Sequence, residues 1–170
     1  MGRYRPPQPK ASPYITAEGY AKLDAELKAI WKRRAIVVKI LAEAAAEGDR
    51  SENAEYIYRK KELREIDYRV RYLQKRLPDL KVVKNLPSNP KQVFFAAWVT
   101  LEDEIGDEKT YRIVGPDELA PKKGWISMDS PVAKALLKKN IDDEVHVETP
   151  MGIKTYIITE VSYEPIPDTE

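Results

Sequence analysis

Hydrophobic residues recur at alternating steps of four and three along the first half of the chain. Between residues 16 and 46 the stripe consists of Leu23, Leu27, Ile30, Val37, Leu41 and Ala44. Arg34 is the only polar residue at a seam position of this stripe. The stripe resumes from Tyr56 to Leu77 and stops at Pro78, which cannot continue a helix. This spacing is that of a heptad seam, and it predicts two long helices.

The two stripes match each other if the helices fold back antiparallel. Seam partners then have residue numbers that sum to 100, such as 44 with 56, 37 with 63 and 23 with 77. The same register places Arg34 beside Ile66 and Arg59 beside Leu41, and we expect both arginines to extend their charged ends into solvent. Residues 14–86 are therefore predicted to form an antiparallel coiled-coil hairpin.

The turn of the hairpin falls in Glu47-Gly48-Asp49-Arg50-Ser51-Glu52. Gly48 suits the left-handed conformation that ends a helix. Asp49 and Glu52 have the spacing of a capping box for the second helix, and that structural role alone would explain them. Because both carboxylates can converge on one side of the turn, Asp49 and Glu52 are also candidate metal ligands.

A magnesium site made of two carboxylates would be incomplete. Mg²⁺ takes about six oxygen ligands in an octahedron and usually keeps several waters. The N-terminus of the second helix also attracts the carboxylates, which weakens their hold on a metal. We therefore expect no metal to bind stably to the protein alone, and the missing ligands must come from a partner or a substrate phosphate.

After the linker Pro87-Ser88-Asn89-Pro90 the pattern changes to an alternation rich in β-branched and aromatic residues. It predicts strands at 93–99, 110–114, 144–149 and 153–161. One short helix is predicted among them, with Ser130 as its N-cap and Pro131 at its first position. Residues 87–170 are thus predicted to be a second, α+β domain, in which a mostly antiparallel sheet packs on a helix.

Charge is distributed unevenly along the chain. Residues 1–78 carry 18 Lys and Arg against 11 Asp and Glu, whereas residues 79–170 carry 11 against 17. The first 13 residues are basic and proline-rich, and we expect them to be disordered. The basic half is predicted to meet an anionic partner, with nucleic acid the leading candidate, although a solvated helical surface would explain the same charge. Lys60, Lys61 and Arg64, next to the turn, are the candidate phosphate contacts.

Several chemistries are excluded by the sequence. The chain has no cysteine, which rules out thiol nucleophiles and disulfides and fits a reducing cytosol. It contains no nucleotide-binding loop, zinc spacing or serine–histidine arrangement, and His146, the only histidine, is expected to be a structural or surface residue of a strand. No segment has the length and apolarity of a membrane span or a signal peptide. We expect no self-contained catalytic site.

One segment of the turn resembles a known family. Gly48-Asp49-Arg50-Ser51-Glu52-Asn53-Ala54-Glu55-Tyr56 is similar to the tip signature of the Gre transcript-cleavage factors. Residues 64–67, 69–73, 93–98, 112–115 and 129–137 resemble the GreB branch in particular. The resemblance extends from about Tyr14 to Tyr163.

The resemblance implies a transcription elongation factor of bacterial RNA polymerase. Its coiled coil would enter the secondary channel of the polymerase, and its C-terminal domain, with an FKBP-like fold, would dock at the channel rim. Asp49 and Glu52 would help to hold a catalytic Mg²⁺ at the polymerase active site, where the backtracked RNA 3′ end is cleaved. The protein would itself be no enzyme, and we expect a cytoplasmic monomer without a membrane partner.

The same resemblance assigns roles to three further sets of residues. Support of the tip falls to Ser51, Asn53 and Tyr56. Contact with the RNA 3′ segment falls to Lys60, Lys61 and Arg64. Docking to polymerase falls to Asp129, Ser130 and Pro131. Turn and capping chemistry would also explain Ser51, Asn53 and the docking residues.

Three other functions fit parts of the sequence. The long N-terminal extension and the acidic tail ending in Asp168-Thr169-Glu170 leave open a paralogue that occupies the channel and inhibits or modulates transcription. A prolyl isomerase is disfavoured because Trp98, Trp125 and the strand aromatics are expected in the core, where they cannot line a pocket. A plain coiled-coil interaction module would use the tip only as a cap.

Overall fold

A computed structural model describes residues 9–48 and 52–164 of the chain. The chain divides into two units, a hairpin unit from Glu18 to Leu80 and a sheet unit that combines the residues before Glu18 with those from Lys81 onward. The predicted hairpin boundaries at residues 14 and 86 therefore enclose short segments that belong with the sheet unit. The reason is a pair of strands that flank the hairpin in sequence.

Those flanking strands are β1 (Tyr14–Thr16) and β2 (Lys81–Val83), which the hydrophobic pattern does not reveal. They pair in parallel, and the backbone N–H of Lys81 also donates to the carbonyl oxygen of Pro13 at 2.8 Å. Three-residue strands are too short for an alternation to be recognised.

The two predicted helices are confirmed. Helix α1 spans Ala17–Ala46 and helix α2 spans Ala54–Arg76, followed by a 3₁₀ turn over Leu77–Asp79 that contains Pro78. Their seam contains a cluster of buried and half-buried residues from the two predicted stripes: Val37, Ile66, Val70, Leu27, Ile30 and Leu63. The 30 residues of α1 extend roughly 45 Å at 1.5 Å per residue.

Both arginines of the seam keep partly exposed side chains, and their charged ends also form ion pairs. Arg34 Nε lies 2.7 Å from Asp67 Oδ1 on the facing helix. Arg59 reaches Glu55 and Glu62 on its own helix at 2.7 and 2.8 Å. The aliphatic stems of these arginines lie at the edge of the seam, and nearby carboxylates as well as water contact their guanidinium groups.

Further ion pairs connect the helices along their sides. Arg69 binds the Glu26 carboxylate through two nitrogens at 2.6 and 2.9 Å, and the Arg69 hydrogen bond holds the pKa of Glu26 below its usual value. Arg33 lies 2.6 Å from Glu62, whose pKa is lowered chiefly by its hydrogen bond from Arg59. Exposed pairs add little stability individually, but they favour one register of the hairpin.

The sheet unit is built on five strands, and its α+β class is confirmed. The strands are β3 (Trp98–Asp103), β4 (Glu108–Val114), β5 (Trp125–Ser127), β6 (Glu144–Thr149) and β7 (Gly152–Ser162). Their order is β5-β4-β3-β7-β6, and only the β4–β5 pair is parallel. The predicted short helix is present as α3 (Pro131–Leu136), capped by the Ser130 side chain.

One face of the sheet packs on α3 to form the core. Ala133 and Leu136 of the helix are fully buried against apolar strand residues such as Val99, Ile113 and Ile158. These positions alternate with polar ones along the strands, as expected for a sheet buried on one face.

The predicted strand at 93–99 was mostly wrong. Val93 and Ala97 are fully buried, but the chain turns between them, and Ala96 has a positive φ of 69°. Val93 exchanges backbone hydrogen bonds with the segment at Lys138 and Lys139 instead of joining the sheet. The apolar run correctly indicated buried residues, but a buried turn produces the same pattern as a buried strand.

The prediction that Trp98 and Trp125 lie in the core was wrong. Both are half-buried, and Trp98 pairs across the strands with Arg112, which pairs in turn with Trp125. Residues that pair directly project from the same face of a sheet. Their neighbours Val99 and Ile113 are fully buried on the opposite face, so the two indoles lie on the outer face of the sheet.

A buried carboxylate holds β1 to the turn after β4. Glu118 accepts hydrogen bonds from the backbone N–H and hydroxyl of Thr16 and from the backbone N–H of Gly115. Gly115 is required there because a Cβ atom at that position would lie 2.1 Å from the carbonyl oxygen of Tyr14. The Glu118 hydrogen bonds and the close approach at Tyr14 together hold β1 against the turn after β4.

Replacement of Gly115 by alanine should destabilise the sheet unit. Since the new methyl group meets backbone that cannot move aside without breaking the Glu118 contacts, we expect a loss of about 1–3 kcal/mol in the free energy of unfolding. Chemical denaturation followed by tryptophan fluorescence measures it. Lys84→Ala, at an exposed position, is the control and should change stability by less than about 0.5 kcal/mol. Equal stability of Gly115→Ala and the control would contradict the close approach.

Candidate functional site at the hairpin tip

The first helix ends just before the predicted turn. Helix α1 stops at Ala46, and the backbone N–H of Glu47 reaches back to the carbonyl oxygen of Ala44 at 3.4 Å. Gly48 has φ of +138°, in the region that side-chain-bearing residues rarely adopt. Glycine is thus needed where the chain leaves α1, as the sequence predicted.

Asn53 joins the two helices at this end of the hairpin. Its Oδ1 accepts from the backbone N–H of Tyr56 at 3.1 Å and caps α2, while its Nδ2 donates to the carbonyl oxygen of Ala44 at 3.0 Å. One side chain therefore satisfies a donor at the start of α2 and an acceptor at the end of α1. Both groups belong to helix termini, where backbone partners are missing.

The predicted capping box of Asp49 and Glu52 is corrected by this geometry. Helix α2 begins at Ala54 and its N-cap is Asn53, so Glu52 precedes the cap and is not part of the helix. Asparagine is among the strongest N-caps, and it satisfies the same donor as the predicted aspartate would. The two carboxylates are therefore not needed to start α2.

Glu52 is exposed in the turn directly before Asn53. Asp49 and Ser51 lie outside the described residues, in the three-residue gap between Gly48 and Glu52. The sequence places both carboxylates within the short connection that the Asn53 hydrogen bonds close. Glu52 is exposed there and precedes the cap of α2, so its carboxylate is available to a partner.

Tyr56 lies in the first turn of α2. It is half-buried, and Lys60 Nζ lies 5.7 Å from the centre of its ring, within range of a cation–π contact. Asn53 and Tyr56, both predicted to support the tip, are joined by the cap hydrogen bond from the Tyr56 backbone N–H.

The three predicted RNA contacts form one exposed basic cluster. Lys60, Lys61 and Arg64 are all exposed and lie within two turns near the start of α2. Arg59, next to them in sequence, is instead occupied by Glu55 and Glu62. The cluster can offer three cations to an anionic chain that passes the tip.

The predicted docking residues lie together at the start of α3. Ser130 accepts from the backbone N–H of Ala133 as the helix cap, and Pro131 is exposed. The Asp129 carboxylate accepts from both the backbone N–H and the hydroxyl of Ser12. Nothing in the sequence indicated that Ser12, in the segment before β1, would bind the Asp129 carboxylate.

The remaining chemistry of the described residues is sparse. Within residues 9–48 and 52–164, no group of three or more His, Asp or Glu side chains can hold a metal ion. His146 is exposed and its Nδ1 lies 3.2 Å from the Thr155 hydroxyl, as expected of a surface residue. Among those same residues no helix has the length and apolar character needed to cross a membrane.

Both units of the chain match the same protein family. Residues 13–82 match the family described as "Transcription elongation factor, N-terminal", and residues 87–163 match "Transcription elongation factor, GreA/GreB, C-term". The helical hairpin and the sheet unit thus define a two-part transcription elongation factor. The chain belongs to the GreA/GreB family.

Its similar relatives are named GreB. The transcription elongation factor GreB of Pseudomonas aeruginosa is 57% identical over 168 residues, covering 98% of this chain and 100% of the relative. GreB of Xanthomonas axonopodis pv. citri is 56% identical, with 96% and 98% covered, and GreB of Haemophilus influenzae is 57% identical, with 90% and 98% covered. The chain is therefore GreB-like over nearly its whole length.

Solved structures also resemble the chain. The Gfh1 protein of Thermus thermophilus is 24% identical with a TM-score of 0.41, covering 87% of this chain and 97% of that one. A GreA/GreB factor from Nitrosomonas europaea is 22% identical with a TM-score of 0.41, covering 89% and 100%.

Two replacements of Asn53 should separate the contributions of its two hydrogen bonds to the stability of the hairpin. Asn53→Ala removes the cap and the bond to Ala44, and we expect it to cost about 1–2 kcal/mol. Asn53→Asp keeps an acceptor for Tyr56 but loses the donor to Ala44, so a smaller loss is expected. Thermal unfolding followed by circular dichroism at 222 nm measures both losses. Equal losses in the two variants would show that the cap to Tyr56 contributes nothing, whereas no loss in Asn53→Asp would show that the bond to Ala44 contributes nothing.

Proposed function

We propose that the chain binds bacterial RNA polymerase, inserts its hairpin tip first into the secondary channel and stimulates cleavage of backtracked RNA by the polymerase active site. Arrested complexes are rescued because cleavage returns an RNA 3′ end to that site. The chain acts in this proposal as a factor and the polymerase as the enzyme.

The observation that carries the proposal is the closed hairpin end with an acidic connection. The Asn53 side chain fixes both helix ends, and Glu52 stands exposed immediately before it. Since Asn53 caps α2, neither Glu52 nor Asp49 is required for folding of the helix. An exposed Glu52 before the cap, with Asp49 in the same short connection of the sequence, suits a site that acts inside a partner.

The dimensions of the hairpin support delivery over a distance. Helix α1 is roughly 45 Å long and α2 has 23 residues, so the tip stands several turns away from the other end of the hairpin. The ion pairs from Arg69 to Glu26 and from Arg34 to Asp67 hold the helices together along this length. A paired arm can enter a narrow channel without losing its register.

The donor set at the tip fits Mg²⁺ only in part. Carboxylate oxygens are suitable ligands, but Asp49 and Glu52 provide too few to complete an octahedron. Mg²⁺ bound between the tip and the polymerase would activate the attacking oxygen or steady the leaving one in phosphodiester hydrolysis. The part of this chain is to position two carboxylates, and the polymerase provides the remaining ligands.

The basic cluster gives the tip a means to hold the RNA. Lys60, Lys61 and Arg64 are exposed within two turns of α2, close to the connection. Their charges are suited to the phosphates of an extruded 3′ segment. RNA held there would lie alongside the carboxylates of the tip.

The start of α3 is the proposed contact with the channel rim. Ser130 and Asp129 are engaged in the cap and with Ser12, which fixes the shape of the segment. Pro131 is exposed at its surface. We propose that polymerase recognises this shaped segment.

The experiment compares tip variants on stalled, backtracked polymerase complexes. The double variant Asp49→Asn with Glu52→Gln removes both charges and leaves the Asn53 cap intact. We expect it to bind polymerase as tightly as wild type and to lower the rate of RNA cleavage by at least about 10–100-fold, as loss of metal-orienting groups does. The rate is measured from the length of radiolabelled transcripts over time.

The matched control is Glu43→Gln with Glu47→Gln, which removes one exposed carboxylate in the last turn of α1 and one just after it. It should cleave RNA at the wild-type rate. Cleavage by the tip variant as fast as by this control would contradict the proposed mechanism. Wild-type protein that binds the complex but stimulates no cleavage would instead identify a channel-occupying inhibitor.

A further inference from the structure

We propose that Tyr68 of α2 stacks against an unpaired base of single-stranded RNA, which follows an outer stripe of the helix away from the tip. The outer stripe consists of Lys61, Arg64, Tyr68, Arg71 and Lys75. It begins with two residues of the basic cluster and continues beyond them. The inference rests on the proposed function for the way in which RNA reaches the stripe, and it adds a residue that contacts a base.

The outer stripe occupies one face of α2. Its members follow one another at steps of three and four residues, so they lie in a row along the helix. Ile66 and Val70, two positions before and after Tyr68, are buried in the seam. Two positions correspond to about 200° around a helix, so Tyr68 points away from α1. All five residues of the stripe are exposed.

The ring of Tyr68 differs from the other tyrosine rings of α2. Each of the other three has a cation of the same helix at 5.2–5.7 Å from its centre, and these are the rings of Tyr56, Tyr58 and Tyr72. Tyr68 is 71% exposed, and within residues 9–48 and 52–164 no cation lies over its ring. Most of this ring is therefore accessible to a flat partner.

Cations lie on both sides of Tyr68 along the helix. Lys61 and Lys75 are seven positions before and after it, about 10 Å away in each direction at 1.5 Å per residue. Arg64 lies between Lys61 and Tyr68. Among the residues that the structure describes, no carboxylate forms an ion pair with these three cations. The stripe can therefore contact phosphates before and after the base that stacks on Tyr68.

This combination favours a single-stranded nucleic acid over an acidic protein surface. Proteins that bind single strands combine cations along the backbone with aromatic rings on which bases stack. An acidic protein would meet the cations, but the exposed ring among them needs a flat apolar partner, and every nucleotide carries one. From Lys61 to Lys75 the stripe extends about 21 Å, the length of about six nucleotides at 3.4 Å each.

The test measures binding of the full chain to two fluorescent probes of equal length and charge. One is a single-stranded RNA of about 12 nucleotides, and the other is a chain of as many stable abasic residues, which keeps the phosphates and lacks the bases. The wild-type chain should bind the RNA at least about 5-fold more tightly, because one stacked base contributes that factor or more. Fluorescence anisotropy at about 50 mM salt gives both dissociation constants.

Replacements of Tyr68 separate the ring from the charge. Tyr68→Ala should abolish the preference for RNA and leave the affinity for the abasic chain unchanged, whereas Tyr68→Phe keeps the ring and should keep the preference. The matched control is Tyr58→Ala, which removes another exposed tyrosine of α2, about 80° around the helix from Tyr68. It should bind both probes as wild type does. Circular dichroism at 222 nm should show equal helix content in all variants.

Replacement of two stripe cations tests the phosphate contacts. Each phosphate contact to a single strand contributes about 0.7 to the slope of log affinity against log salt. Arg64→Gln with Lys75→Gln should therefore reduce that slope by about 1.4 for both probes. An unchanged slope would contradict the path along the stripe.

Three results for the ring would overturn the proposal: no binding to RNA, equal binding of RNA and the abasic chain by wild type, or a preference that survives in Tyr68→Ala. So would a Tyr68→Ala variant that binds RNA normally but binds polymerase more weakly in the absence of RNA, which would identify a protein contact. The binding assay is independent of cleavage. RNA preference in a chain that stimulates no cleavage would contradict only the proposed function, and normal cleavage without RNA preference would contradict only this inference.

Discussion

The two hydrogen bonds of the Asn53 side chain are the constraint on which the hairpin tip depends. One starts α2 at Ala54, and the other ties that start to the last turn of α1 through the carbonyl oxygen of Ala44. Because Asn53 meets these needs, the acidic residues just before it are not required to stabilise a helix end. The seam and the side ion pairs keep the rest of the hairpin in one register, and the tip follows from that register.

Much of the fold could be predicted because its signals are periodic and long. The heptad stripe located both helices and their pairing to within a few residues, and Ser130 with Pro131 marked the start of α3. The errors have a common physical origin, since hydrophobicity indicates burial but not backbone conformation. The apolar run at Val93 became a buried turn, and the three-residue strands β1, β2 and β5 were too short to show a period.

The sequence named candidate residues for the site but did not give the geometry of the tip. The sequence placed Asp49 and Glu52 in the connection, yet assigned them a capping role that belongs to Asn53. Two spacings satisfied the same capping rule, and only the observed helix start decides between them. The outward position of Trp98 and Trp125 was missed because aromatic residues in strands are usually assigned to the core, whereas here Arg112 between the rings stabilises them on the outer face.

The proposed function requires that the tip, and not the base of the hairpin, reaches the RNA in the polymerase. A photocrosslinking amino acid at Glu47, which is exposed beside the connection, tests it in backtracked complexes carrying RNA labelled at its 3′ end. The same probe at Glu18, about 43 Å away along α1, is the comparison. The account predicts crosslinks to the RNA 3′ segment from position 47 and none from position 18. Equal crosslinking from both positions, or none from position 47, would contradict it.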